Sequence, residues 1–177
     1  MNKNINIKKQ SKIFTIFFSI IIVIALIMFS KTVTESGPVE PVFDAMSFYT
    51  DLDTKTTVTQ EELIAKIGEP EKIETWNHTN SKNEKIEITT LYYDNYAYEY
   101  NFYENHLQRI SINKDIELKD EVTNLKLFNL SKNDYTKLNN TGSALRYYNC
   151  GVNDLWIWNI SDNIAKGTKI TYTSLFE

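Results

Sequence analysis

Cysteine is almost missing from this chain of 177 residues, which contains only Cys150. A single cysteine excludes an intramolecular disulfide, so the fold must be held by packing and hydrogen bonds. No cysteine directly follows the apolar N-terminal run either, which excludes a bacterial lipid anchor of the diacylglyceryl type. We interpret Cys150 as a small interior side chain, with a redox site or an intermolecular bridge as the alternative.

Histidine is also scarce, and the usual signatures of catalysis are missing. His78 and His106 are the only histidines, and neither has the spacing of a metal site, so we expect both in solvated turns. There is no glycine-rich phosphate loop and no serine nucleophile elbow. Glu61 and Glu62 are interpreted as helix-start acids, with paired catalytic carboxylates as the alternative, and residues 115–121 as a solvated charge run. The sequence therefore predicts no catalytic residues, no cofactor and no metal.

One long apolar run is present near the N-terminus. Residues 13–29, IFTIFFSIIIVIALIMF, carry no charge, and residues 1–12 contain four lysines and no acid. A run of this length is near the lower limit for crossing a hydrocarbon core about 30 Å thick. We predict a cytoplasmic tail over 1–12, a transmembrane signal anchor over 13–29, a linker over 30–42 and an extracytoplasmic domain over 43–177. A cleaved secretory signal, which would make the protein secreted, is the alternative.

Basic residues are few outside this N-terminal region. The chain has 19 Lys and Arg and 23 Asp and Glu, and residues 1–31 contain five of the lysines and no acid. The exported part therefore has 14 basic and 23 acidic residues, a net charge near −9. Such a domain lacks the basic footprint that nucleic acids require, so we expect no nucleic-acid partner.

The stretch TVTQEELIAKIGEPEKIETW, residues 57–76, predicts one short helix followed by a strand. Thr59 and Glu62 have the spacing of a capping box, in which each side chain satisfies a free backbone amide. Gly68 suits the left-handed position just past a helix, and Pro70 prevents continuation. A second short helix is expected over residues 43–52.

After this helix the hydrophobic period changes to two, which predicts strands joined by short turns. The expected strands are residues 71–77, 86–94, 96–103 and 107–112. A meander with helices packed on one face belongs to the α+β class. The second half shows a similar pattern, with a capped helix expected over 130–138 and strands over 144–150, 154–160 and 168–174. Residues 57–112 and 129–177 are therefore candidate members of a degenerate tandem repeat.

Aromatic residues are abundant in the strands. Seven aromatic rings fall within residues 92–103. Because adjacent residues of a strand point to opposite faces, each face of the sheet should carry some of these rings. Trp156 and Trp158, two residues apart, should share a face. The candidate protein-binding residues are Tyr92, Tyr93, Tyr96, Tyr98, Tyr100, Tyr103, Trp156 and Trp158. Burial of the rings beneath the helices is the alternative.

Residues 57–112 resemble the SmpA/OmlA/BamE-like domains and the related repeats of β-lactamase inhibitor proteins. The matching features are the capped helix TQEELIAKIGEP, then Trp76, the tyrosine-rich strand YEYNFY and the turn and strand NHLQRI. The chain departs from the pattern in lacking the glycine just before the helix and the lipoprotein cysteine. The resemblance implies a helix-and-meander domain that binds protein surfaces without catalysis.

These observations predict a membrane-anchored, extracytoplasmic, non-catalytic protein-binding module of a bacterial cell envelope. Its partner would be an unidentified protein or envelope component, and the lipid bilayer would hold residues 13–29. The richness in Asn, Lys and Ile resembles proteins of Gram-positive bacteria of low GC content. The alternatives are an immunity or inhibitor protein directed against an exported enzyme or toxin, and an envelope-acting enzyme of unfamiliar type.

Overall fold

The structure of the protein is a computed structural model, which describes residues 39–80 and 82–176. The predicted cytoplasmic tail, signal anchor and most of the linker lie outside these residues. Among the residues that are described, no helix has the length and apolar character needed to cross a membrane.

The described residues form twelve strands and four short helices. The strands are β1 (Tyr49–Asp51), β2 (Thr56–Thr57), β3 (Lys72–Thr79), β4 (Lys85–Tyr93), β5 (Tyr98–Tyr103), β6 (His106–Ile112), β7 (Ile116–Glu117), β8 (Lys137–Asn140), β9 (Ala144–Tyr148), β10 (Asp154–Trp158), β11 (Ile164–Ala165) and β12 (Gly167–Thr171). The α-helices are α1 (Gln60–Ile67) and α2 (Glu121–Lys126), and 3-10 helices span Ala45–Phe48 and Ser174–Phe176.

Eight of these strands form one antiparallel sheet, in the order β3-β4-β5-β6-β12-β10-β9-β8. It consists of two four-stranded meanders that meet through their last strands, β6 and β12, where Ile110 lies opposite Ile170. A short helix precedes each meander, α1 the first and α2 the second. Both halves thus contain a short helix followed by four strands of the large sheet, and the second half has the additional short strand β11 before β12.

The predicted α+β class is wrong. Strand makes up 44% and helix 15% of the structure, which is mostly antiparallel β-sheet. The helix expected over 43–52 is reduced to the 3-10 helix Ala45–Phe48, and the chain then enters β1. The helix expected over 130–138 does not form, and that segment leads into β8.

Local side-chain hydrogen bonds explain why the helix expected over 130–138 does not form. The Asn133 carboxamide oxygen accepts a hydrogen bond from the Tyr135 amide at 2.9 Å, and the Asn133 amide donates to the Thr136 hydroxyl at 2.9 Å. Such bonds satisfy backbone groups in a turn and compete with helix formation. A helix forms earlier instead, at α2, where Asp120 accepts hydrogen bonds from the amides of Val122 and Thr123. The segment interpreted as a solvated charge run therefore contains the start of this helix.

Helix α1 forms as the capping box predicts. The Glu62 amide donates to the Thr59 hydroxyl at 3.2 Å, and the Thr59 amide donates to the Glu62 carboxylate at 2.8 Å. Gly68 follows the helix with φ of +94°, a backbone conformation that favours glycine. The helix buries Leu63 completely against the sheet, so tertiary packing stabilises a helix too short to be stable alone.

One face of the sheet forms the hydrophobic core. A single row of facing residues crosses all eight strands: Ile73, Leu91, Tyr100, Ile110, Ile170, Leu155, Tyr147 and Leu138. The six central members of this row are buried and pack with residues of both helices into one cluster. Burial of this row stabilises the two halves together, since each central side chain removes apolar surface from water.

Candidate binding face

The opposite side of the sheet, which we call the open face, carries the alternate residues of the same strands. One row of cross-strand neighbours on it consists of Lys72, Tyr92, Glu99, Ser111, Lys169, Trp156, Arg146 and Asn139. This row contains no aliphatic residue, whereas the corresponding core row has no charge. In these two rows alternation along the strands places the charged residues on the open face and the aliphatic residues on the core face.

Two tryptophans and a lysine form the centre of the second half of the open face. The rings of Trp156 and Trp158 lie 5.5 Å apart between centroids. The Lys169 amine lies 5.5 Å from the Trp156 ring and 5.1 Å from the Trp158 ring. Both distances are within the range of cation–π attraction. Trp156 nevertheless remains 37% exposed, although its strand is in the interior of the sheet.

The Trp158 ring packs directly over Gly167, its cross-strand neighbour. A Cβ atom at position 167 would lie only 2.4 Å from the indole ring. Glycine is thus needed here for space, because the indole occupies the position that any side chain would take.

Arg146 extends this cluster across β9. Its guanidinium lies 2.6 Å from the Asp154 carboxylate, 4.8 Å from the Tyr148 ring and 5.7 Å from the Trp156 ring. The Arg146 side chain is 33% exposed, while that of Asp154 is only 3% exposed. The Asp154 carboxylate lies beneath the Arg146 guanidinium, so the charge of this ion pair that faces the solvent is positive.

Arg109 provides a third cation on β6, the strand next to β12. Its guanidinium carbon lies 3.8 Å from the centroid of the Phe176 ring. Burial lowers the pKa of Arg109 below its ordinary value. Burial also lowers the pKa of Lys169, and the charge of Arg109 lowers it further. The Lys169 shift shows that the charge of Arg109 acts on Lys169 across this part of the face.

A ladder of hydrogen bonds forms the floor of the first half of the open face. The Trp76 indole nitrogen donates to the Thr90 hydroxyl at 2.9 Å, and that hydroxyl donates to the Asn101 carboxamide oxygen at 2.9 Å. The Asn101 amide nitrogen in turn donates to the Arg109 carbonyl at 3.5 Å. Thr90 and Asn101 are buried, so the ladder satisfies polar groups that would otherwise destabilise the sheet.

The 3-10 helix Ser174–Phe176 lies against the open face. The Phe176 ring is 5.1 Å from the ring of His78 on β3, and the Thr173 hydroxyl donates to the Gln108 carboxamide oxygen at 2.5 Å. His78 is therefore in a strand and not in the turn expected from the sequence. Next to this helix is a shallow depression of about 510 Å³. It is lined by Arg146, Tyr148, Asn149, Asn153 and Phe176.

Four of the predicted binding residues lie on the open face in the sheet itself, namely Trp156, Trp158, Tyr92 and, at the end of β5, Tyr103. The Tyr92 hydroxyl donates to the Glu74 carboxylate at 2.9 Å, and burial together with this bond raises the pKa of Tyr92 to about 12. Tyr96 is exposed in the following turn, with its ring 5.0 Å from that of Tyr92.

The predicted tyrosines are divided by strand alternation. Tyr93, Tyr98 and Tyr100 lie on the core side, and Tyr100 is only 4% exposed. The Tyr93 hydroxyl donates to the Gly68 carbonyl at 3.0 Å, which ties the end of α1 to the sheet. Alternation places Tyr103 on the open side at the end of β5, with partial exposure. The structure therefore does not bring the tyrosine cluster together on one surface.

Sequence reasoning missed the three cations Arg109, Arg146 and Lys169. Each directly precedes a buried apolar or aromatic residue of its strand, Ile110, Tyr147 or Ile170, a signal that was present in the sequence. What the sequence lacked was the register between β9, β10 and β12, which places Arg146 and Lys169 on either side of Trp156. Long-range pairing of this kind cannot be obtained from local periodicity.

The remaining residues with reactive side chains, His106 and Cys150, contact other groups of the protein. The His106 ring nitrogen Nδ1 lies 3.1 Å from the Thr57 carbonyl oxygen. Cys150 is fully buried, and burial raises the pKa of its thiol to about 11. Among residues 39–80 and 82–176, no group of three or more His, Cys, Asp or Glu side chains is placed to hold a metal ion.

No protein-family model matches the chain, and no curated protein or solved structure is significantly similar to it. The resemblance of residues 57–112 to the SmpA/OmlA/BamE-like domains therefore stays a prediction.

Proposed function

We propose that this protein is a non-catalytic binding module, anchored in the membrane of a bacterial cell envelope through residues 13–29, that holds a protein partner on its open face. The apolar run and the lysines before it support the anchor and the extracytoplasmic position of the sheet. The absence of a basic surplus in the exported part is the reason for preferring a protein partner to a nucleic acid.

The observation that carries this proposal is the difference between the two faces of the sheet. The core face is closed by both helices, whereas Trp156 remains partly exposed in the interior of the opposite face. Tryptophan, tyrosine and arginine are the residues that most often dominate the energy of protein interfaces. Their rigid rings also cover a large area at a small cost in conformational entropy.

The pairing of the acids on the open face supports the non-catalytic part of the proposal. Asp154 is paired with Arg146, and Glu74 accepts a hydrogen bond from Tyr92. Glu99 accepts a hydrogen bond from the Asn113 carboxamide at 2.9 Å. Hydrogen bonds from Lys72 and Tyr92 lower the pKa of Glu74 below its ordinary value, which does not suit a general acid.

Affinity capture from a cell-envelope extract tests the proposal. The full chain, tagged at its N-terminus and kept in solution with a mild detergent, is compared with the variants Trp156→Ala and Tyr135→Ala. Tyr135 is a matched control, since it is a highly exposed aromatic residue in a turn outside the sheet. We expect a protein that is recovered with the parent chain and with Tyr135→Ala, and is lost with Trp156→Ala. Equal recovery with all three chains would contradict the use of the open face.

A further inference from the structure

We infer that the partner presents an acidic segment to the open face, with Asp or Glu carboxylates contacting Lys169 and Arg146 beside the rings of Trp156 and Trp158. This inference rests on the proposed function and specifies the chemistry of the partner. It commits to a polypeptide as the source of the carboxylates.

The first argument is the location of charge. The exported part of the chain has a net charge near −9, yet Arg109, Arg146 and Lys169 lie on one face, on strands β6, β9 and β12. Of the two acids that act on Lys169, Asp154 is almost completely covered and Glu99 accepts a hydrogen bond from Asn113, whereas Arg146 reaches the solvent. A partner approaching this part of the face therefore meets cations first, and complementary charge would favour an acidic surface.

The second argument is that the cations are already held in place. Lys169 contacts both indole rings, and Arg146 contacts the rings of Tyr148 and Trp156. Side chains that are ordered before binding lose less conformational entropy when a partner arrives. The lowered pKa of Lys169, caused by burial and by the charge of Arg109, agrees with a site that an anion would stabilise.

The third argument concerns the size and shape of the ligand. Arg146, Trp156 and Lys169 are cross-strand neighbours on three adjacent strands, and the row continues to Ser111 on a fourth. Three inter-strand spacings amount to about 14 Å, the length of roughly four residues of extended peptide. A broad, shallow surface of this kind suits a polypeptide, whereas small ligands are usually enclosed in a cleft.

Tryptophan fluorescence offers a direct readout, because all three tryptophans of the chain, Trp76, Trp156 and Trp158, lie on the open face. The probe is a synthetic peptide of alternating Glu and Tyr, compared with matched peptides in which Gln or Lys replaces Glu. The full chain in mild detergent is titrated with each peptide at about 20 mM and about 500 mM salt, since exposed charge interactions weaken with ionic strength.

The variants Lys169→Gln, Lys169→Arg and Lys126→Gln separate charge from shape. Lys126 is a matched control, because it is exposed on α2 on the core side of the sheet. We expect the Glu peptide to bind at least about fivefold more tightly than the Gln peptide, with loss of this difference at high salt. Lys169→Gln should weaken binding of the Glu peptide by about fivefold, while Lys169→Arg and Lys126→Gln should leave it nearly unchanged.

Three results would overturn the inference: equal affinity for the Glu and Gln peptides, equal loss with Lys169→Gln and Lys126→Gln, or no binding of the Glu peptide at about 1 mM, the weak limit for specific association. These results are distinguishable from failure of the proposed function. A partner captured by the parent chain and lost with Trp156→Ala, but retained with Lys169→Gln, would support the binding face and remove its acidic specificity.

Discussion

At the scale of single residues, burial has opposite consequences for two kinds of side chain. Lys169 is half-buried but keeps its charge in contact with two indole rings, so the cost of desolvation is partly offset by cation–π attraction. Cys150 is buried without any such compensation, and its neutral form is favoured. Lys169 is therefore suited to contact a partner, and Cys150 to pack in the core.

The protection of Cys150 is testable. Because the thiolate is the reactive species and burial raises the thiol pKa to about 11, we expect the native protein to react with a thiol reagent at least about a hundredfold more slowly than the unfolded chain near neutral pH. Reaction rates measured in buffer and in concentrated guanidinium chloride provide the comparison. Rapid labelling of the native protein would show that position 150 is accessible and would support the interpretation of Cys150 as a redox site.

At the scale of elements, local signals predicted most strands and failed where side chains satisfied the backbone in another way. The cap and the glycine stop predicted α1, and alternation predicted the positions of β3 to β6 and of β9, β10 and β12 within a few residues. The Asx turn at Asn133 prevented the helix expected over 130–138. The order and register of the strands, and hence the cation cluster, depend on pairings between residues far apart in sequence.

The contact between β10 and β12 at Gly167 gives a prediction for these elements. Gly167→Ala places a methyl group within the volume of the Trp158 indole, so the ring must move and the free energy of unfolding should fall by about 1–3 kcal/mol. Chemical denaturation measures the loss, and near-UV circular dichroism reports the movement of the ring.

The same change in a Trp158→Ala background is the control. Without the indole there is no clash, so Gly167→Ala should then cost less than about 0.5 kcal/mol. An equal cost in both backgrounds would mean that the backbone at position 167, and not the space beneath Trp158, requires glycine.

At the scale of the whole molecule, the core is continuous across both meanders. Tyr172, directly after β12, donates its hydroxyl proton to the Ala45 carbonyl at 2.8 Å, and Tyr49 packs edge-on against the Tyr172 ring. Burial raises the pKa of Tyr172 well above its ordinary value, and that of Tyr49 and of Tyr147 to about 12. The core therefore contains tyrosine hydroxyls that must remain protonated for the fold to be stable.

This arrangement predicts alkaline unfolding. The unfolded tyrosines ionise near their ordinary pKa of 10.0, whereas the folded ones bind their protons up to about pH 12. Their contribution to stability is thus fully present below pH 10 and is lost as the pH rises through this window. The lowered pKa of Lys169 acts in the opposite direction, but the buried tyrosines with a raised pKa, which also include Tyr100, outnumber it.

Urea denaturation at a series of pH values from neutral to strongly alkaline measures this effect. We expect the unfolding free energy to be level up to about pH 9 and to decrease steeply beyond pH 10. Tyr49→Phe should reduce the steepness, because it removes one of the phenols that ionise only on unfolding. A constant unfolding free energy across the alkaline range would contradict the burial of these hydroxyls.

The most direct test of the central claim is the dissociation constant of a captured partner for three purified chains, the parent, Trp156→Ala and Tyr135→Ala. The account predicts that removal of the Trp156 ring weakens binding by at least about tenfold, as for a residue at the centre of an interface, and that Tyr135→Ala has no effect. Circular dichroism of each variant would establish that the sheet is intact. Equal dissociation constants for the parent and Trp156→Ala would show that the partner binds elsewhere.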